Sequence, residues 1–97
     1  MITKDDFILD PCKATPGFEF FPKKTKKIDL SLLLTKFKEK DYFIEKDSSP
    51  FLIIIKTKIG DVTIFSSMKV IIKGTDDEAK AKKLLDEILQ IISSIEK

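Results

Sequence analysis

Residues 51–73 read FLIIIKTKIGDVTIFSSMKVIIK. Three stretches rich in β-branched residues are separated here by two turn signals, and that pattern predicts antiparallel strands joined by tight connections. The first strand is expected over Phe51–Lys58, and Gly60-Asp61 turns it into a second over Val62–Ser66. Ser67-Met68 then turns the chain into a third, Lys69–Lys73, which Gly74 ends. A short strand over Tyr42–Glu45, closed by Asp47-Ser48-Ser49-Pro50, comes before them and completes a meander.

Upstream of the meander, GFEFF at Gly17–Phe21 suits a further strand, stopped by Pro22 and the lysines Lys23, Lys24, Lys26 and Lys27. That cluster is a solvated turn or a phosphate-contacting loop. Asp29 can cap a helix over Leu30–Lys40, because Leu30, Leu33, Leu34 and Phe37 share one face. At the other end, Ala81, Leu84, Leu85, Ile88, Ile91, Ile92 and Ile95 form a stripe that predicts a helix from Asp76 to about Ser94. Thr75 and Glu78 have the spacing of a capping box at its start. Residues 1–16 show no sustained period and are expected to be a partly mobile lead-in, with the single domain spanning 17–97.

The expected fold class is therefore α+β: a curved antiparallel sheet of about five strands with two helices on one face, in the order β-α-β-β-β-β-α. One feature of the patterning does not fit a sheet with one wet face. Phe51–Ile55 and Val70–Ile72 are apolar on both faces, whereas two helices cover only one. The second face is expected to meet a partner, a second copy of the chain, or the N-terminal lead.

Composition narrows the chemistry. The chain has 97 residues, 18 basic against 16 acidic, for a net charge of +2. It has no histidine, and all its basic residues are lysine. Histidine-based acid–base catalysis and histidine-ligated metal sites are thereby excluded, and so is the arginine fork that most often reads guanine. Cys12 is the single cysteine, so no internal disulfide forms and no thiolate cluster can hold a metal. Asp76-Asp77-Glu78 lacks the spacing of a calcium loop and is read as helix capping. Ser66-Ser67 is read as a turn, because the chain has no histidine to activate either hydroxyl. These features point to a non-enzymatic domain with no catalytic residues, metal or cofactor. The longest apolar run, Phe51–Ile55, is far short of the roughly 20 residues that span a bilayer. A soluble protein without membrane association is expected, cytoplasmic or, in a eukaryote, nuclear.

The segment Asp61–Ile88, DVTIFSSMKVIIKGTDDEAKAKKLLDEI, resembles one repeat of the TATA-box-binding protein family. Ile64-Phe65-Ser66-Ser67, Lys69-Val70 and Gly74 ahead of an acidic helix start carry the resemblance, and Ile28-Asp29-Leu30 resembles the opening of the repeat's first helix. Altogether the likeness covers about Gly17–Ile92. It implies a curved sheet whose concave face binds the minor groove of duplex DNA, with phenylalanine wedges between base steps. It also implies a role in transcription-related assembly. With length for one repeat only, a homodimer through the sheet is the simplest way to regain a two-repeat saddle.

Residue by residue, the resemblance implies that Phe65 is a wedge, that Lys69 lies near phosphate, and that Ile71 contacts the groove. Thr63 and Lys73 share their face, and Lys56 resembles a family arginine. The second wedge falls at Phe51 or, counted from Lys56, at Pro50. Departures are equally specific: Lys73 replaces a base-contacting threonine, Met68 a turn glycine and Gly17 a base-reading asparagine. Glu19 and Asp61 put carboxylates where DNA would lie. The alternative reading is a protein-interaction or homodimerisation module that binds no DNA.

Overall fold

The structure, a computed structural model, describes residues 4–11, 17–24, 27–48, 51–75 and 77–95. After a short 3₁₀ turn (Lys4–Asp6), the elements are β1 (Phe7–Pro11), β2 (Gly17–Pro22), α1 (Leu30–Glu39), β3 (Phe43–Ser48), β4 (Leu52–Lys56), β5 (Asp61–Phe65), β6 (Val70–Lys73) and α2 (Glu78–Ile95). All pairings are antiparallel, and the strands lie in the order β1-β2-β6-β5-β4-β3. The α+β class matches the sequence pattern.

The sheet has six strands rather than about five. The additional one, β1, comes from residues expected to lie ahead of the domain, and it pairs along the whole of β2 from Phe7↔Pro22 to Pro11↔Phe18. FILDP is too short to show a period by itself. Its strand conformation is a consequence of the hydrogen-bonding edge that β2 offers, and burial of Phe7 adds to it.

One layer of core lies between the sheet and the helices. Phe18 and Phe20 of β2, Ile53 and Ile55 of β4, Val62 and Ile64 of β5, and Val70 and Ile72 of β6 are all buried on the same face. Against them pack Leu30, Leu33, Leu34 and Phe37 of α1 and Ala81, Leu84, Leu85, Ile88, Leu89, Ile91 and Ile92 of α2. Leu89 joins the stripe anticipated from spacing. Side chains this deeply enclosed stabilise the fold by roughly 1.5–3 kcal/mol each relative to exposure.

Caps and turns account for the element boundaries. Asp29 caps α1 as expected, its Oδ1 accepting from the amides of Ser31 (2.9 Å) and Leu32 (3.3 Å). At α2 the cap is Asp77 rather than Thr75: Asp77 Oδ1 accepts from Ala79 (3.0 Å) and Lys80 (3.3 Å). Thr75 Oγ1 sits one step back and accepts from the Asp77 amide at 3.1 Å. A carboxylate accepts two amides more strongly than a hydroxyl accepts one, so the helix begins later than the spacing alone implies. Asp76 lies outside the described residues.

Strand β4 stops at Lys56, earlier than expected, because Thr57 closes the turn. Its amide and hydroxyl both donate to the Gly60 carbonyl (3.0 and 2.7 Å), and its Oγ1 accepts from the amides of Ile59 and Gly60. At Gly60 a side chain would have no room: a Cβ would collide with the backbone carbonyl oxygen of Lys73. The β5–β6 turn closes where expected, with Met68 N–H donating to Phe65 O at 2.9 Å. Met68 occupies positive φ (72°), the conformation that glycine adopts without strain, yet its side chain is fully buried. The strain is offset by core packing. On β3 the strand runs through Ser48, past the turn expected at Asp47, and the register shifts between Ile44 and Lys46. Ser49 and Pro50 lie outside the described residues.

Candidate functional site

Because side chains alternate across a strand, the residues that do not face the helices form three rows across the opposite face. The first row reads Ile8, Phe21, Lys69, Phe65, Leu52 and Ser48. The second reads Asp10, Glu19, Ile71, Thr63, Ile54 and Lys46. The third runs from Lys73 through Asp61 and Lys56 to Phe43. No described helix or strand lies over these rows. Residues 7–11 of the lead do not cover them and instead lengthen the sheet sideways as β1.

The face is apolar in its middle and charged around it. Ile8 and Phe43 are 55% and 64% exposed at its two margins. Phe21, Leu52, Ile54, Phe65 and Ile71 are half-buried, shielded only by their neighbours in the rows. An area of this kind on a single chain marks a contact surface more often than bare solvent exposure.

Lys69 organises the centre. Its ammonium lies 5.0 Å from the ring centroid of Phe21, 5.4 Å from that of Phe65, and 3.8 Å from a carboxylate oxygen of Glu19. Two ring faces and a carboxylate hold one cation, each contributing modestly at this partial exposure. On the other flank Lys56 Nζ lies 3.6 Å from Glu45 Oε1, and Asp61 stands in register between Lys56 and Lys73.

Of the residues expected to form the site, Phe65, Lys69, Ile71, Lys73, Thr63 and Lys56 lie together on the open face. Phe51 does not join the rows. It precedes β4, on the opposite strand parity from Leu52, and its amide donates to Ser48 O in the turn that closes β3 onto β4. It is 72% exposed there. Sequence reasoning passed over Phe21, Ile54 and Leu52, although parity from Glu19 within β2 reaches Phe21 and parity from Lys56 within β4 reaches the other two. Lys46 had no such signal, because only the register shift in β3 brings it to this face. In the lysine cluster, Lys23, Lys24 and Lys27 are exposed, while residues 25 and 26 lie outside the described residues.

Elsewhere, a shallow cleft lies between the end of α1 and α2, lined by Lys40, Tyr42, Glu87, Gln90, Ile91 and Ser94. Burial raises the Tyr42 hydroxyl above its ordinary pKa of 10.0, and the Glu87 carboxylate pushes it the same way. The ring packs edge-on against Phe37, with centroids 5.2 Å apart. Among the described residues no group of three or more acidic or cysteine side chains could hold a metal ion, and no helix is long and apolar enough to cross a membrane. No family model, curated protein or solved structure matches this chain.

Proposed function

We propose that the chain is a non-enzymatic interaction domain and that the open sheet face binds another protein surface. The observation that carries this reading is the pairing of charge on an uncovered apolar face. Lys46, Lys56, Lys69 and Lys73 share it with Asp10, Glu19 and Asp61, and Glu45 lies against Lys56. A surface that gathers phosphates needs a strong excess of cations over acids, whereas these rows set four lysines against three acids, with Glu45 beside Lys56 as a fourth. Mixed charge around aliphatic and aromatic side chains suits a protein interface, where an apolar centre is dried and a polar rim sets register. The test places a photo-reactive phenylalanine analogue at Thr63, in the middle row, or at Lys83 on the exposed side of α2, in the native cell extract. A discrete protein adduct from position 63 and none from position 83 is expected. Equal products from both positions, or none from position 63, reject the reading.

A second reading, duplex DNA binding as part of transcription-related assembly, is favoured by the adjacency of Phe65 and Lys69 on that same face. It expects weak binding to a labelled duplex that falls as salt rises and is lost in Phe65→Ala. Absence of binding at low salt removes it.

A further inference from the structure

The two edges of the sheet differ in a way that neither face explains. At one edge, β3 carries a register shift between Ile44 and Lys46 and the exposed charges Glu45, Lys46 and Asp47. A bulge and a run of charge are the usual devices that stop a sheet from pairing with another chain. At the other edge β1 has neither. Its register against β2 is regular over its full length, and no described strand lies beyond it.

The hydrogen-bond parity of β1 can be read directly. Lys23 N–H donates to Asp6 O at 2.8 Å, so Asp6 and Lys23 are a hydrogen-bonded pair. Antiparallel pairs alternate, so Ile8 and Asp10 also bond to β2. Phe7, Leu9 and Pro11 therefore direct their backbone groups away from the sheet. Only Pro11 lacks an amide to offer.

We infer that β1 pairs antiparallel with β1 of a second copy of this chain, centred on Leu9, to form one continuous two-fold sheet. Outward-facing residues must meet outward-facing residues, so the registers open to such a pair differ in steps of two. Centring on Ile8 sets Asp6 against the partner copy's Asp10 twice, and centring on Asp10 sets two aspartates face to face; like charges directly opposite disfavour both. Centring on Leu9 avoids these contacts and uses all five residues of the strand. Each Leu9 exchanges two hydrogen bonds with its counterpart, and each Phe7 amide donates to the opposite Pro11 carbonyl. Pro11 has no N–H to return, so the Phe7 carbonyl opposite it stays bonded to water. Leu9, half-buried beside a cleft of about 300 Å³ bounded by Phe7, Phe20 and Lys82, then meets its symmetry mate. Ile8, 55% exposed, lies opposite Asp10 of the other copy. The two open faces fall on the same side of the joined sheet. This assembly does not depend on what the open face binds.

A charge swap at Ile8 tests it, with self-association of the full chain measured by sedimentation. Ile8→Glu sets a second carboxylate against Asp10 at two symmetry-related places and is expected to weaken the dimer roughly 2- to 30-fold. Ile8→Lys loses the same apolar contact but gains an opposite charge, so its dimer is expected to be as tight as the parent's or tighter. Association through the sheet faces would be weakened by both changes alike, and that result overturns the inference. So does a chain that stays monomeric at every concentration. The register has its own check in a Cys12→Ser background: Ile8→Cys mixed with Asp10→Cys is expected to give a mixed disulfide dimer faster than Ile8→Cys alone gives a homodimer. The reverse order overturns the Leu9-centred register.

Discussion

Ile53 and Ile54 are neighbours in one strand and identical in chemistry, yet they lie in different environments. Ile53 is fully buried under the two helices, whereas Ile54 lies half-buried on the open face among Thr63, Lys46 and Leu52. Ile71 and Ile72 repeat the contrast on β6. The covered face stabilises the molecule. The open face carries equally apolar side chains that the helices do not use, and this is the pattern of a strand meant to be buried on both sides. A sheet whose second face met only water would place Thr, Lys or Glu where this one has Ile54, Leu52 and Ile71.

The contrast breaks most directly by truncation. Ile53→Ala is expected to cost about 2–5 kcal/mol in urea unfolding, since it empties a fully packed site. Ile54→Ala is expected to cost less than about 1 kcal/mol, as changes away from the core do. Equal losses would mean that the open face is covered in solution by something other than the edge pairing of β1, which leaves that face open.

A smaller effect concerns how the helices are anchored over their face. Asp77→Ala removes the carboxylate that accepts two amides at the start of α2, and is expected to lower stability by about 1 kcal/mol. Thr75→Ala, which removes only the hydroxyl that accepts from the Asp77 amide, is expected to cost less. Thermal unfolding of both variants orders them, and the reverse order would return the cap to Thr75.

The smallest expected effect is a titration at the margin of the covered face. Tyr42 is the one tyrosine and the chain has no tryptophan, so phenolate absorbance reports a single group. In the folded chain its midpoint is expected above 10.0, first because burial disfavours the phenolate and then because Glu87 repels it. Unfolding should return it to the ordinary value. A folded-state pKa above the unfolded one contributes stability that is intact below pH 10 and lost as the pH rises through the folded value. Glu87→Gln should lower the folded midpoint, and an unchanged midpoint would leave burial as the only cause.

Much of this architecture was legible because its signals are local. Leu30, Leu33, Leu34 and Phe37 mark α1, the Ala81–Ile95 stripe marks α2, and the runs 51–58, 62–66 and 69–73 mark three strands to within a few residues. Parity alone gathers Phe65, Thr63, Ile71, Lys73 and Lys69 onto one face. The errors share a different cause. FILDP has no period of its own and becomes β1 only beside β2. Asp77 displaces Thr75 as the cap because its carboxylate takes the amides of Ala79 and Lys80, leaving Thr75 the Asp77 amide one step back. Phe51 leaves the site because the turn from Ser48 claims its amide.

What the amino-acid order determined here is both helices, the strands other than β1, and the inward or outward sense of side chains along each regular stretch, for these follow from periods of 3.6 and 2 carried within one segment. Tertiary structure decided which segments became neighbours. Glu19, Phe21, Phe65 and Lys69 meet because β2 pairs with β6 across most of the chain's length, and Lys46 reaches the open face because β3 slips against β4. No local period records such meetings. They depend on hydrogen-bond register between strands, which is settled only when the whole sheet closes over its core.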